Sequence, residues 1–416
     1  MEIKTKRVVI TGMGVITPIG NSIDELWDSL MACKCGISKL EGYEDTGLSV
    51  KVAARVKDFD PANYGMNRAD IRKNDLYSQF AQASAYQAMQ QSGLVSGENI
   101  EPERLGVYLG SGIGGLDTFI KNTTVSIQEG PQYVSPLFVP SMIPNIAGGN
   151  IAIKYNAQGA AITCVAACAT GTNAIGEAYL AIRFGRLDAV IAGGSEAAIS
   201  PLTVGGFANA KALTTEEDPH KACLPFDARR AGFVLGEGSG VIILEEYEHA
   251  VARGANIIAE VCGYGVTCDA YHYTAPRPDG VPASRAMKDA LAEAGYKQGE
   301  NLYINAHGTG TKLNDSSETT AIKLALGEED AHRASISSTK SMHGHMVGAT
   351  GAVEIIISAL ALQHGVVPPT VGLEVPDPDC DLDYTPGKPK ERNLDIALSN
   401  SLGFGGHNVC VVMRKS

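Results

Sequence analysis

"ITCVAACATGTNAIGEAYLAIRFG", residues 162–185, passes from an apolar, β-rich run into a helical one through a turn of small residues. Ile175, Ala178, Tyr179 and Ile182 recur at helical spacing and mark one apolar face. Gly171 stands just before that face begins. Two cysteines lie near the join: Cys164 in the predicted strand "AITCV" and Cys168 beyond it. A buried strand turning sharply into a helix is the building unit of an α/β sheet.

The unit recurs along the chain. "RVVITG", "LGVYLG", "AAITCV", "AVIAGG" and "GVIILEE" are apolar runs, and helical stretches such as "LYSQFAQASAYQAMQQSG" separate the early ones. From about residue 255 the order restarts with "IIAEVCGYG", "NLYINAHG", "ASISSTKS", "LDIALSN" and "VCVVMR". "GVYLGSG" (106–112) aligns with "LYINAHG" (302–308), which sets Ser111 opposite His307. "ITCVAACATG" leads into a helix, as does "ISSTKSMHGHMVGATG", so Cys168 and His345 take roughly equivalent loop stations. The sequence predicts a duplicated α/β chain with largely parallel, buried strands, one half spanning 1–254 and the other 255–416. Loops at the carboxyl ends of strands from both halves would then meet in one cleft.

Composition narrows the function classes. The 416 residues suffice for a large core, and 44% hydrophobic with 19% charged residues is an ordinary globular mix. A net charge of -12 argues against a nucleic-acid binder. Nine cysteines at irregular spacing include no CxxC pair, which argues against a zinc ribbon or a thioredoxin-like site. Free thiols in a reducing cytoplasm are expected. "MEIKTKRVVITG" runs directly into a strand without an apolar leader, and "GAVEIIISALALQHG" reads as too short for a bilayer and carries Glu354. No membrane partner is expected.

"GSGIGG" matches GxGxxG through Gly110, Gly112 and Gly115. A dinucleotide site needs a helix immediately afterwards, and the downstream "EGPQYVSPLFVPSMIPN" reads as proline-interrupted loop. Tight turns in a crowded sheet are the expectation instead.

A cysteine is most often a small buried hydrophobe, and Cys164 fits that description. Cys168 lies at the start of a helix, where the macrodipole and unpaired N–H groups favour a thiolate and a sharp turn offers oxyanion donors. Position alone leaves it open between nucleophile and core residue. His307 in "NAHGTGT" and His345 in "TKSMHGHMVGATG" both stand in glycine-rich loops, Lys340 and His343 lying beside the latter. A metal would need a third compact ligand, and no HxxxH helix occurs. "NSLGFGGHN" sets Phe404 among glycines, a mobile aromatic loop able to cover a pocket.

With these stretches, "GGFANAKALT", "PFDARRAGFVLGEG" and "CDAYHYTAPRPDG", the chain resembles the β-ketoacyl-acyl carrier protein synthases of the thiolase-like superfamily nearly end to end. The likeness is to the type II condensing enzymes of bacterial fatty-acid synthesis. It implies a five-layered αβαβα fold built from two halves, and a homodimer. By resemblance Cys168 is the nucleophile, and Cys164 has no counterpart role. His307 matches the histidine of the family's HGT motif, and His345 the second histidine of its KSxxGH motif. Lys340 orders that loop with Glu354, and Phe404 is the gating aromatic whose N–H joins that of Cys168 in an oxyanion hole. Thr309 and Thr311 match residues that bind the phosphopantetheine arm. Lys312 and Asn314 depart from a frequent proline and glycine, with the turn expected to survive because asparagine tolerates left-handed angles.

The implied reaction is a decarboxylative Claisen condensation of malonyl-acyl carrier protein with a cysteine-bound acyl chain. It calls for no metal or redox cofactor, because the phosphopantetheine arrives on the carrier-protein substrate. Arg72 and Lys73 in "NRADIRKNDLY" are the implied docking patch for that acidic partner, although a solvated helix face accounts equally well for the charges. Ile113 lines the implied acyl pocket, with Phe138 approaching from a partner chain. Thiolases and initiating synthases share the fold but use another residue where this chain has His345. Non-catalytic chain-length factors lack the cysteine. A cysteine hydrolase would release free acid. A specialised polyketide pathway stays open at this point, as does preferred chain length.

Overall fold

The computed structural model describes residues 5–415. Ten strands form one sheet: β1 (Val8–Ile16), β2 (Leu105–Gly110), β3 (Ala161–Ile162), β4 (Ala189–Glu196), β5 (Gly238–Glu246), β6 (Ala259–Cys268), β7 (Leu302–Asn305), β8 (Ser335–Ser337), β9 (Ile396–Gly403) and β10 (His407–Arg414). Their order is β8-β7-β9-β10-β6-β1-β5-β4-β2-β3. Each half has the same internal order, so β6 to β10 repeat β1 to β5 strand for strand. The halves join through a short antiparallel contact of Val8–Ile10 with Ala259–Val261.

The expectation of largely parallel strands needs correction. β2 pairs parallel with β3 and β4, and β7 with β8 and β9. The other strands of each half, β5 and β1 or β10 and β6, join by antiparallel pairing. Apolar runs report burial on both faces, which is blind to direction.

Helices fill the layers around this sheet. α1 (Arg68–Lys73) is short and exposed. α2 (Leu76–Ser92), α3 (Leu116–Gln128), α4 (Phe138–Met142) and α5 (Ile146–Tyr155) follow, α2 and α5 lying on the outer face of the first half. α6 (Thr170–Arg183) and α10 (Thr350–His364) form the middle layer, each touching strands of both halves. α7 (Val281–Glu293) covers the second half, with α8 (Lys312–Leu326) packed on it, and α9 (Lys340–His343) is one turn. These are the five layers expected.

α10 shows why the middle layer holds. "TGAVEIIISALALQH" is buried through Leu362, as a helix apolar on all sides must be. Each fully buried Ile or Leu there contributes about 1.5–3 kcal/mol. The apolar stretch Val347–His364 is 18 residues with hydropathy 1.3, longer than the sequence reading allowed, and 89% of it is buried inside the protein. At the head of α6 a Cβ on Gly171 would lie 2.9 Å from both Ala352 N and Gly348 O, so only glycine permits this approach to α10.

Candidate active site

Four loops leave the carboxyl ends of β3, β7, β8 and β9 and converge, as the duplication requires. They carry Cys168, His307, His345 and Phe404, which together line a cavity of about 560 Å3. Thr309, Thr311, Lys312 and Asn314 line it as well.

Cys168 sits in a 3-10 turn, Ala167–Ala169, directly before α6. The turn forces Ala167 to φ +48°, and Val347 takes φ +45° at the matching point before α10. Left-handed backbone at a non-glycine residue costs of order 1–3 kcal/mol and persists only where its surroundings hold it. The matched turns also correct the alignment: Cys168 is equivalent to Gly348, so His345 lies three residues earlier in its own loop. Cys164 is free and buried as expected, but it lies just past β3 rather than inside it.

The Cys168 thiol receives the backbone N–H groups of Phe404 and of Cys168 itself. Burial nevertheless pushes it up to about 12, against the pull of Lys340 and those N–H groups. At rest the sulfur therefore holds its proton, and the helix start does not win over desolvation as the sequence reading expected.

His307 and His345 pack edge to face, ring centres 5.3 Å apart. Burial first, then the Lys340 charge, holds both imidazoles well below their ordinary range, so both are neutral. The Nδ1 of His345 meets Thr350 Oγ1 at 3.0 Å, while its buried Nε2 has no partner among the described residues. With Thr350 donating, Nε2 carries the hydrogen and is a free donor at the cavity wall. The main-chain N–H groups of His307 and Gly308 both donate to Glu318 at 2.7 Å. A Cβ on Gly308 would lie 2.7 Å from that of Ser338, which explains the glycine after this histidine.

Lys340 and Glu354 are fully buried and paired at 2.6 Å behind the cavity. His343 is tied at both nitrogens, Nδ1 to Gly344 O and Nε2 to Thr339 Oγ1, and it does not line the cavity. Phe404 lies 6.3 Å from Phe207. Its loop is tethered, because Gly405 N–H donates to Tyr273 O and Asp269 N–H to Gly406 O, both at 2.8 Å. Asn314 lies in the first turn of α8 rather than in a left-handed turn, and Lys312 opens that helix.

Arg72 and Lys73 are exposed in the last turn of α1. Ile113 is half-buried in the turn after β2, and Phe138 packs on Phe119 at 6.3 Å. Neither lines the cavity that holds Cys168.

Sequence reasoning missed Glu196. This fully buried carboxyl accepts the N–H groups of Gly112, Ile113 and Gly348 and the Ser111 hydroxyl. It occupies the "GSGIGG" turn, so donors that could cradle a phosphate are already engaged. The reason first given for rejecting a nucleotide does not hold, since α3 starts directly after the turn. No local motif announces Glu196, which reaches its partners only through the sheet.

The chain belongs to the β-ketoacyl synthase family: the family's N-terminal domain matches residues 5–250 and its C-terminal domain residues 258–374. It is 46% identical over 415 residues to a 3-oxoacyl-[acyl-carrier-protein] synthase 2 of Synechocystis, covering 100% of this chain and 99% of that one. The like-named protein of Coxiella burnetii is 45% identical over 411 residues, with 99% of each covered. Among solved structures, a type II PKS acyl-carrier protein in complex with its ketosynthase superposes with TM-score 0.92 at 36% identity. It covers 99% of this chain and 100% of that one. A β-ketoacyl synthase from Burkholderia phymatum gives 0.91 at 34%, covering 99% of this chain and 100% of the other.

Proposed function

We propose that this protein condenses an acyl chain held on Cys168 with malonyl-acyl carrier protein. The products are carbon dioxide and a 3-oxoacyl-carrier protein two carbons longer. Cys168 attacks the acyl thioester, its proton leaving as the C–S bond forms and the carrier thiol departing. Malonyl then loses carbon dioxide, and the N–H groups of His307 and His345 take the developing enolate oxygen. The enolate carbon attacks the acyl-cysteine carbonyl, whose oxyanion rests on the N–H groups of Phe404 and Cys168, and the thiolate leaves. The observation that carries this reading is one cavity lined by a cysteine with two backbone N–H donors and by two neutral imidazoles.

The remaining roles belong to the same proposal. Thr309 and Thr311 hold the phosphopantetheine arm, which comes with the substrate, and no resident cofactor or metal is needed. Lys340 and Glu354 order the His345 loop, and Phe404 gates the cavity. Arg72 and Lys73, exposed at the end of α1, dock the acidic carrier protein. The chain acts as a homodimer in the cytoplasm. The outer edge of β3 supports the dimer, with Ile162 and Val165 exposed beside it. Free cysteines agree with a reducing compartment. The halves divide between residues 254 and 255, in the link between Ala252 and Ala259. Fatty-acid elongation is favoured over polyketide assembly because identity to the 3-oxoacyl synthases, 44–46%, exceeds the 36% to the type II PKS ketosynthase complex.

Mass spectrometry of carrier-bound products tests the reading. Hexanoyl- and malonyl-carrier protein should yield the eight-carbon 3-oxoacyl product, whereas free hexanoic acid alone would contradict it.

A further inference from the structure

The wall carrying Thr309 and Thr311 is held from behind by a residue of the other half, Arg230. Its side chain is 3% exposed and lies outside the cavity lining. Nε donates to Thr311 O at 3.3 Å and Nη2 to Lys312 O at 3.2 Å. Nη1 donates to Asp227 O at 3.0 Å and also to the Asp377 carboxylate. Asp315, 3.6 Å from Nε, is the second counter-charge and is fully buried, and it accepts Gly310 N–H. Asp227 in turn accepts the N–H groups of Glu374 and Val375, which fixes the segment that brings Asp377. One planar fork thus grips two successive carbonyls of the 309–312 turn. On the cavity side of that turn the two threonine hydroxyls stand 3.0 Å apart.

We propose that Arg230 is a positioning residue for substrate entry, its guanidinium fork setting the Thr309 and Thr311 hydroxyls in register for the pantetheine amides. This rests on the pantetheine role given to those threonines above. A lysine keeps the charge that balances Asp315 and Asp377 but cannot span both carbonyls. Fork geometry and charge can therefore be separated.

The test compares acylation of Cys168 by hexanoyl-pantetheine and by an S-ethyl hexanoyl thioester, which has no amide for the threonines to hold. Arg230→Lys should raise KM for the pantetheine donor about tenfold, the scale of one or two hydrogen bonds, with kcat little changed. The S-ethyl donor should react at the wild-type rate. Wild-type KM for the pantetheine donor, or an equal loss with both donors, would overturn the proposal. If a melt shows that Arg230→Lys does not fold, Asp377→Asn decides. That change loosens the fork from one side only and should raise the pantetheine KM about threefold, a small hydrogen-bond effect. An unchanged KM there overturns the proposal. Wild-type protein given malonyl-pantetheine is the control: no 3-oxo product would count against the condensation reading rather than against the clamp.

Discussion

His307 and His345 face the cavity as neutral rings, and the chemistry asked of them needs a hydrogen on the nitrogen that meets the enolate oxygen. Truncating either to alanine should leave acylation of Cys168 in place. It should lower release of labelled carbon dioxide from malonyl donors by about 10²–10³, the usual loss for one oxyanion donor. Near wild-type release from both variants would remove the histidines from this role. Their charge state has its own readout. An ordinary histidine, with a pKa near 6.5, is about three-quarters protonated at pH 6. Burial and Lys340 lower both of these, and His343 is lowered to about 3. Nitrogen NMR of the labelled side chains should therefore show all three neutral from pH 8 down to 6.

At the scale of elements, the buried pair between α9 and α10 is the most exposed to test. Lys340→Met leaves Glu354 in the core without its cation, and breaking such a pair costs about 3–5 kcal/mol. Burial already raises the Glu354 carboxyl to about 7 with Lys340 present, and losing the cation raises it further. A carboxyl whose folded pKa lies above its unfolded one destabilises increasingly as pH rises. Denaturant unfolding of Lys340→Met should thus show a larger loss at pH 8 than at pH 6; an equal loss would assign the cost to packing alone. Elements were also where the sequence spoke most clearly. Most of the ten strands stand out as apolar runs because they are buried on both faces, β3 and the end of β6 being the exposed exceptions. Strand direction did not, since hydrophobicity carries no sign. α3 was overlooked because the prolines that suggested loop lie beyond its last turn, from Pro131 onward. The offset of His345 against Cys168 emerged only from the paired left-handed residues Ala167 and Val347, which no propensity announces.

For the whole molecule, the duplication accounts for a cavity to which one half supplies the thiol and the other both imidazoles and Phe404. The motifs around Cys168, His307, His345 and Phe404 were legible because each is a short run at a strand end. Glu196 and Arg230 were not, since the partners that define their roles lie far away in sequence. Ile113 belongs to this scale because it stands outside the single-chain cavity and is read as meeting Phe138 of a second copy. Each acyl methylene buried beyond it contributes about 0.8 kcal/mol. Ile113→Phe should lower kcat/KM for long donors far more than for six-carbon or shorter ones. A uniform loss with a lowered Tm would mark overpacking instead. The claim beneath all of this is that the acyl chain passes through Cys168. Intact-mass analysis after incubation with hexanoyl-carrier protein tests it most directly. One hexanoyl adduct should form, persist in Cys164→Ala and vanish in Cys168→Ala; an adduct that survives in Cys168→Ala would contradict the claim.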